Sequence, residues 1–238
     1  MNNKIERDVK FLKIYAGVAT LVIGVLFLTA FQNSGKQKFT EIDVERINVV
    51  EKNGNLRMVL ANNDRTPDLI ASGKVLMTKR NSGGLYLYND VGEEAGGLVA
   101  SGKIENGKVE AGSQLSLDQY GQDQTVRMIY EESNGRRRAG LSVQDRSDIL
   151  EPEYSAKYEE IMKMKRGPER DAAFKPLRAP DRVYIGKTWN NDSAVVLFDR
   201  EGKARIRLMV DEKGTPKLEF VDANGKVTHS LPTTAAKE

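Results

Sequence analysis

Seven times along this chain an apolar-alternating run stops at an acidic or amide residue, passes two variable residues to a glycine, and resumes as a second alternating run. The turns begin at Glu51, Asn89, Asp118, Glu132, Asp199, Asp211 and Asp222 and reach Gly54, Gly92, Gly121, Gly135, Gly202, Gly214 and Gly225. An Asp or Asn side chain accepts hydrogen bonds from the backbone N–H groups of its own turn, and glycine takes the left-handed conformation that a β-carbon penalises. Such a turn joins neighbouring antiparallel strands. The flanks agree: Ile206, Leu208 and Val210 alternate with Arg205, Arg207 and Met209, and period two dominates from Phe39 onward.

The C-terminal part is the most regular, with four candidate strands, SAVVLFD, KARIRLMVD, PKLEFVD and KVTHSLP, separated by three of these turns. The pattern predicts an all-β domain of repeated antiparallel hairpins and meanders. Propeller-like blades, a stacked β-array and a sandwich are all compatible with it. One segment breaks the rhythm: Tyr154, Tyr158, Ile161 and Lys165 fall at helical spacing before Gly167-Pro168, and a second helical stretch follows. A helical insertion is expected near residues 153–178.

The apolar residues are not spread evenly. From Ile14 to Phe31 there is no charged residue, and roughly 20 helical residues cross a hydrocarbon core. The expected organisation is therefore a cytoplasmic tail over 1–13, a transmembrane helix over 14–31, a polar linker over 32–38, an exported β domain over 39–232 and a C-terminal tail over 233–238. Lys4, Arg7, Lys10 and Lys13 precede the span, and this basic excess favours a cytoplasmic N-terminus in the inner membrane. Leu28 is bulky for a residue two positions before a cleavage site at Ala30, and the run exceeds a signal-peptide core. The segment reads as an uncleaved, single-pass signal-anchor, with a cleaved signal peptide as the competing reading.

Charge narrows the partners. With 37 Lys+Arg against 34 Asp+Glu, spread along the chain, there is no concentrated basic face, and no nucleic acid is expected. Cysteine is absent, which removes disulfides, thiolate nucleophiles and Cys-based zinc sites. The single histidine, His229, reads as an exposed strand-end imidazole and gives a catalytic triad almost no material. No catalytic residue, cofactor or metal is assigned.

Several clusters carry both a functional and a plainer reading. Arg136, Arg137 and Arg138 follow a hairpin turn and are the candidate contact for an acidic partner or anionic headgroups; a solvated strand end is the plainer account. Asp118 and Asp123 are carboxylates near one turn, capable of acid/base work on a glycan only where they share a cleft. Asp145-Arg146-Ser147-Asp148 is a second polar cluster. Trp189 is a candidate sugar-stacking platform or a packing residue. The Asp-x-x-Gly turns resemble fragments of calcium loops, but basic or amide residues such as Asn55, Lys203 and Lys226 follow the glycine and add no anionic ligand. Gly83-Gly84 and Gly96-Gly97 read as turns and bulges, since neither opens a helix as a phosphate cradle does.

At FTEIDVERINVVEKNGNLRMVLAN, at LYNDVGEEAGGL and at DQYGQDQ followed by NGRRRAGLSVQDR, the chain resembles a family of uncharacterised bacterial membrane-anchored or exported β-rich proteins. The resemblance runs over about residues 39–148 and 194–232. It implies a bacterial origin and transfers no catalytic or binding residue to these positions. The expected function is a binding or scaffolding module in the cell envelope with an envelope protein partner. The alternative is an envelope glycan- or small-ligand-binding protein or hydrolase, and oligomeric state is left open.

Overall fold

A computed structural model describes residues 2–31, 37–71, 74–78, 80 and 82–232. The chain divides into two compact units, one ending at Asp43 and one beginning at Val44. In the first, a single helix α1 runs Asn2–Phe31, so from Asn2 onward the basic tail expected over 1–13 is helical and continuous with the apolar run. Its window Asn3–Leu28 is long and apolar enough to cross a membrane or to serve as a signal sequence. Most of the expected linker, 32–36, and the tail 233–238 lie outside the described residues.

The second unit is built mainly on antiparallel sheet. Strands β1 (Arg46–Val50) and β2 (Leu56–Ala61) form the first hairpin, and β3 (Leu69–Ala71) with β4 (Lys74–Met77) form a small separate pair. Then follow β5 (Gly83–Tyr88), β6 (Glu94–Glu105), β7 (Lys108–Asp118), β8 (Gln124–Ser133) and β9 (Arg136–Gln144). The insertion stands where the sequence places it: helix α2 (Glu153–Lys163), helix α3 (Pro168–Phe174), with proline at its first turn, and a 3-10 turn over Lys175–Leu177. Strands β10 (Asp181–Lys187), β11 (Ser193–Phe198), β12 (Ala204–Val210), β13 (Pro216–Val221) and β14 (Val227–Leu231) complete the domain.

All strands except β3 and β4 join one sheet in the order β1-β2-β5-β6-β7-β8-β9-β10-β11-β12-β13-β14. The repeats are hydrogen-bonded edge to edge as one open meander. They do not form the separate blades of a propeller, nor the two packed sheets of a sandwich within the chain. At 4.7–4.9 Å per strand the sheet is about 50 Å across.

The turn chemistry explains the meander. Asn89, Asp199, Asp211 and Asp222 each accept two backbone N–H groups of their own turn through one side-chain oxygen, at 2.9–3.1 Å. Two of the seven turns differ from expectation. The Glu132 copy closes as a two-residue turn with Asn134 and Gly135 both at positive φ, which leaves Glu132 in the strand opposite Arg137. The Asp118 copy is displaced by one residue: Gln119 opens the turn, and Asp118 stays in the ladder opposite Gln124. A further hairpin, Asn106-Gly107, joins β6 to β7 by the same Asn-Gly chemistry.

The buried core sits at the N-terminal end of the sheet on one face, where Val59, Ala61, Tyr86 and Tyr88 pack together with Leu56 and Val99. The segment between β2 and β5 closes over it: Arg80 lies 4.5 Å from the Tyr86 ring centroid and forms a two-point ion pair with Glu94.

Candidate functional site

Strand register turns simple alternation into a surface. Reading the paired residues across the sheet, one row begins Ile47, Leu60, Leu85 and Leu98, continues through Leu115, Met128, Leu141 and Ile185, and ends Val195, Leu208, Leu218 and Leu231. A parallel row two residues along each strand runs from Val49, Met58 and Leu87 to Ile206, Phe220 and His229, with Gly96 its one position lacking a side chain. Both rows point to the same face because successive side chains alternate across a strand. Neither contains an Asp, Glu, Lys or Arg.

The row between them points to the other face and reads differently. It holds Asn48, Ser116, Arg127, Ser142, Arg207, Glu219 and Ser230 together with Gly97, Tyr184 and Val196, and with Val59 and Tyr86 at its buried end. The charged side chains of these three rows therefore all lie on one face.

On the apolar face, thirteen of the row side chains are 38–57% exposed. Their combined open surface is on the order of 1,000 Å², against about 300–600 Å² for the largest apolar patch of a typical monomer. Shallow troughs of about 500 and 600 Å³ run over it, one lined by Ile185, Val195 and Leu208 and one by Leu98, Leu115 and Met128. A face of this kind excludes water only when a second layer covers it.

A smaller cleft of about 210 Å³ lies near the β7–β8 turn, where Arg80, Glu94, Asp118, Asp123, Gln124 and Glu151 stand beside the apolar Leu69, Ile70, Leu76 and Met77. The one-residue displacement of the turn carries Asp118 into it. Burial, reinforced by the Asp123 and Glu94 charges, pushes the Asp118 carboxyl up to about 7. Its Oδ1 is buried without a hydrogen-bond partner among the described residues. Asp123 faces Arg146 at 3.4 Å. The two carboxylates singled out from the sequence thus share one cleft. That cleft is smaller than the roughly 300–1,000 Å³ of ordinary ligand sites.

The raised Asp118 value has a definite consequence for stability. Because the folded carboxyl holds its proton more tightly than the unfolded one, its contribution is fully present below about pH 4 and is lost as pH rises through about 7. Urea midpoints of the wild-type chain are expected to fall between pH 5 and pH 8. Asp118→Asn should flatten that slope; an equal slope in the variant would assign it to another group. Asp211, held down to about 2 by Lys217 and by the Thr215 and Lys213 N–H groups, titrates well below this window.

Comparison with protein-family models, with curated proteins and with solved structures finds no match. The remaining candidates are placed by the structure alone. Arg138 makes a two-point ion pair with Glu131 at 2.6 and 3.0 Å, and Arg137 pairs with Glu132 at 2.9 Å. Each pair is a cross-strand neighbour in β8 and β9. Arg136 donates to the Trp189 carbonyl, and the guanidinium groups of Arg136 and Arg138 lie 5.8 and 5.3 Å from the Trp189 ring centroid. Arg136 and Arg138 form one packed cluster with the tryptophan, Arg137 points to the opposite face of β9, and two of the three charges are offset by carboxylates.

Asp145, Arg146, Ser147 and Asp148 line a cleft of about 640 Å³ together with Lys175, Arg178 and Arg200. Its mixed charges include an Asp145–Arg182 ion pair at 2.6 Å. His229 lies at the end of an apolar row, exposed on β14. The Arg80–Glu94 pair and the apolar face itself are absent from the sequence reading. Alternation in each strand signalled the face; its continuity depends on register.

Proposed function

We propose that this chain is a single-pass membrane protein whose β domain is a docking or scaffolding module in the cell envelope. Helix α1 is its uncleaved inner-membrane anchor, with the basic N-terminus cytoplasmic and the β domain exported. The observation that carries the docking role is the pair of charge-free rows spanning the entire sheet and half open to water. An envelope protein that supplies the missing apolar layer is the kind of partner this face accepts.

A second reading, a glycan or small-ligand site with acid/base capability, is favoured by one observation: Asp118 and Asp123 line the same cleft. The cleft's small volume ranks it below docking.

Native electrophoresis of membranes dissolved in mild detergent tests the docking role. The wild-type chain should migrate well above its 26.5 kDa. Leu98→Asp combined with Met128→Asp should reduce it to the size of a lone chain, whereas Asn48→Asp on the opposite face should leave the complex intact. A wild-type chain that migrates alone contradicts the proposal.

A further inference from the structure

The docking role leaves open what covers the apolar face. Resting on that reading, we infer that the occupant is a second copy of this chain, the two sheets stacked face to face as an intermolecular sandwich. The argument is one of extent and chemistry. The face is about 50 Å wide, so an acyl chain or a single extended peptide would leave most of it in water. A second copy presents a surface of the same width whose two central rows are equally free of Asp, Glu, Lys and Arg, and a two-fold axis brings like rows against like.

Area agrees with this. The open surface of the rows, on the order of 1,000 Å² per chain, exceeds the about 800 Å² per partner of a standard stable interface. Architecture agrees as well: a sheet apolar on one face is half of a two-layer domain, and aligned sheets pack about 10 Å apart with side chains interdigitating. The sandwich that the hairpin pattern allowed within one chain is on this account formed between two.

The test places a photo-crosslinking amino acid at Leu115, in the middle of the apolar face, in the full-length chain within native membranes. Asn48, on the opposite face, is the control position. The expected result is a product of twice the chain mass from Leu115, containing only this chain, and at least tenfold less from Asn48. In the Leu98→Asp, Met128→Asp background the Leu115 product should fall at least tenfold while the domain keeps its protease resistance.

Crosslinking of Leu115 to a different protein or to lipid, with no self-product, overturns the self-pairing and leaves the docking role standing. Self-product in equal yield from both positions also overturns it, since contact would then be independent of face. No product from Leu115 at all overturns the pairing and the docking role together.

Discussion

Gly186→Val is expected to prevent the β domain from forming a continuous sheet. Gly186 and Gly140 face each other across β10 and β9, the pairing that joins the strands before the helical insertion to those after it in the sheet order. Gly186 sits at φ +155, and a β-carbon there would lie 2.2 Å from the Ala139 carbonyl oxygen and 2.5 Å from the Gly140 Cα. Both obstacles are backbone, so the strands themselves must separate. Tyr184 locks the same place, donating from its hydroxyl to the Lys187 carbonyl at 2.6 Å. Parting the strands removes ladder hydrogen bonds on both sides of the junction and opens the apolar rows. The loss should be at the exceptional end for a single substitution, above about 4–5 kcal/mol. Pulse proteolysis of membranes checks it: the variant should be digested under conditions that spare the wild type, and equal resistance would contradict the junction's importance.

Tyr86→Ala is expected to cost about 3–5 kcal/mol, the range for deleting a large buried ring. Tyr86 and Val59 are the largest fully buried side chains, and the ring carries Arg80 on one face while its hydroxyl donates to the Ser82 carbonyl. Removing the ring also takes away the surface on which the Arg80 guanidinium rests beside Glu94. With a urea slope of about 1–3 kcal/mol per molar, the midpoint should fall by at least about 1 M. Tyr86→Phe keeps the ring and loses one hydrogen bond, so its cost should be near 1 kcal/mol. Comparable losses in the two variants would show that the hydroxyl, not the ring, holds this end of the sheet.

Much of this architecture is legible in residue order because turns are local. Asn89, Asp199, Asp211 and Asp222 close their own turns with their own side chains, and the charge-free run of α1 and the Gly167-Pro168 break of the insertion are equally self-contained. The two displaced turns show the limit. At Asp118 the spacing fits the turn pattern, yet Gln119 opens the turn and the carboxylate goes into the cleft; at Glu132, Asn134-Gly135 closes a tighter turn. Competing turn chemistries one residue apart are close in energy, and the ladder on either side decides between them.

The site was less legible than the fold. Each strand taken singly shows two or three alternating apolar residues, which is ordinary for a strand with one covered face. Only the register, Leu98 against Leu115 against Met128 and onward, reveals that these positions coincide across every strand of the sheet and stay open. Arg136, Arg137 and Arg138 illustrate the converse. A conspicuous run in the sequence, it is tied down by Glu131, Glu132 and Trp189, partners that strand pairing and a residue more than fifty positions away supply.

The apolar face is expected to be covered in the native membrane. The chain has no cysteine, so single cysteines can report on it without background. Leu115→Cys and Leu208→Cys on the apolar face, and Asn48→Cys opposite, should be treated with a water-soluble maleimide in intact native membranes. Rapid labelling is expected at Asn48→Cys and labelling at least tenfold slower at the two apolar-face positions, although the side chains there are about half exposed in the single chain. Equally rapid labelling at all three would mean that the face is bare and that nothing docks on it.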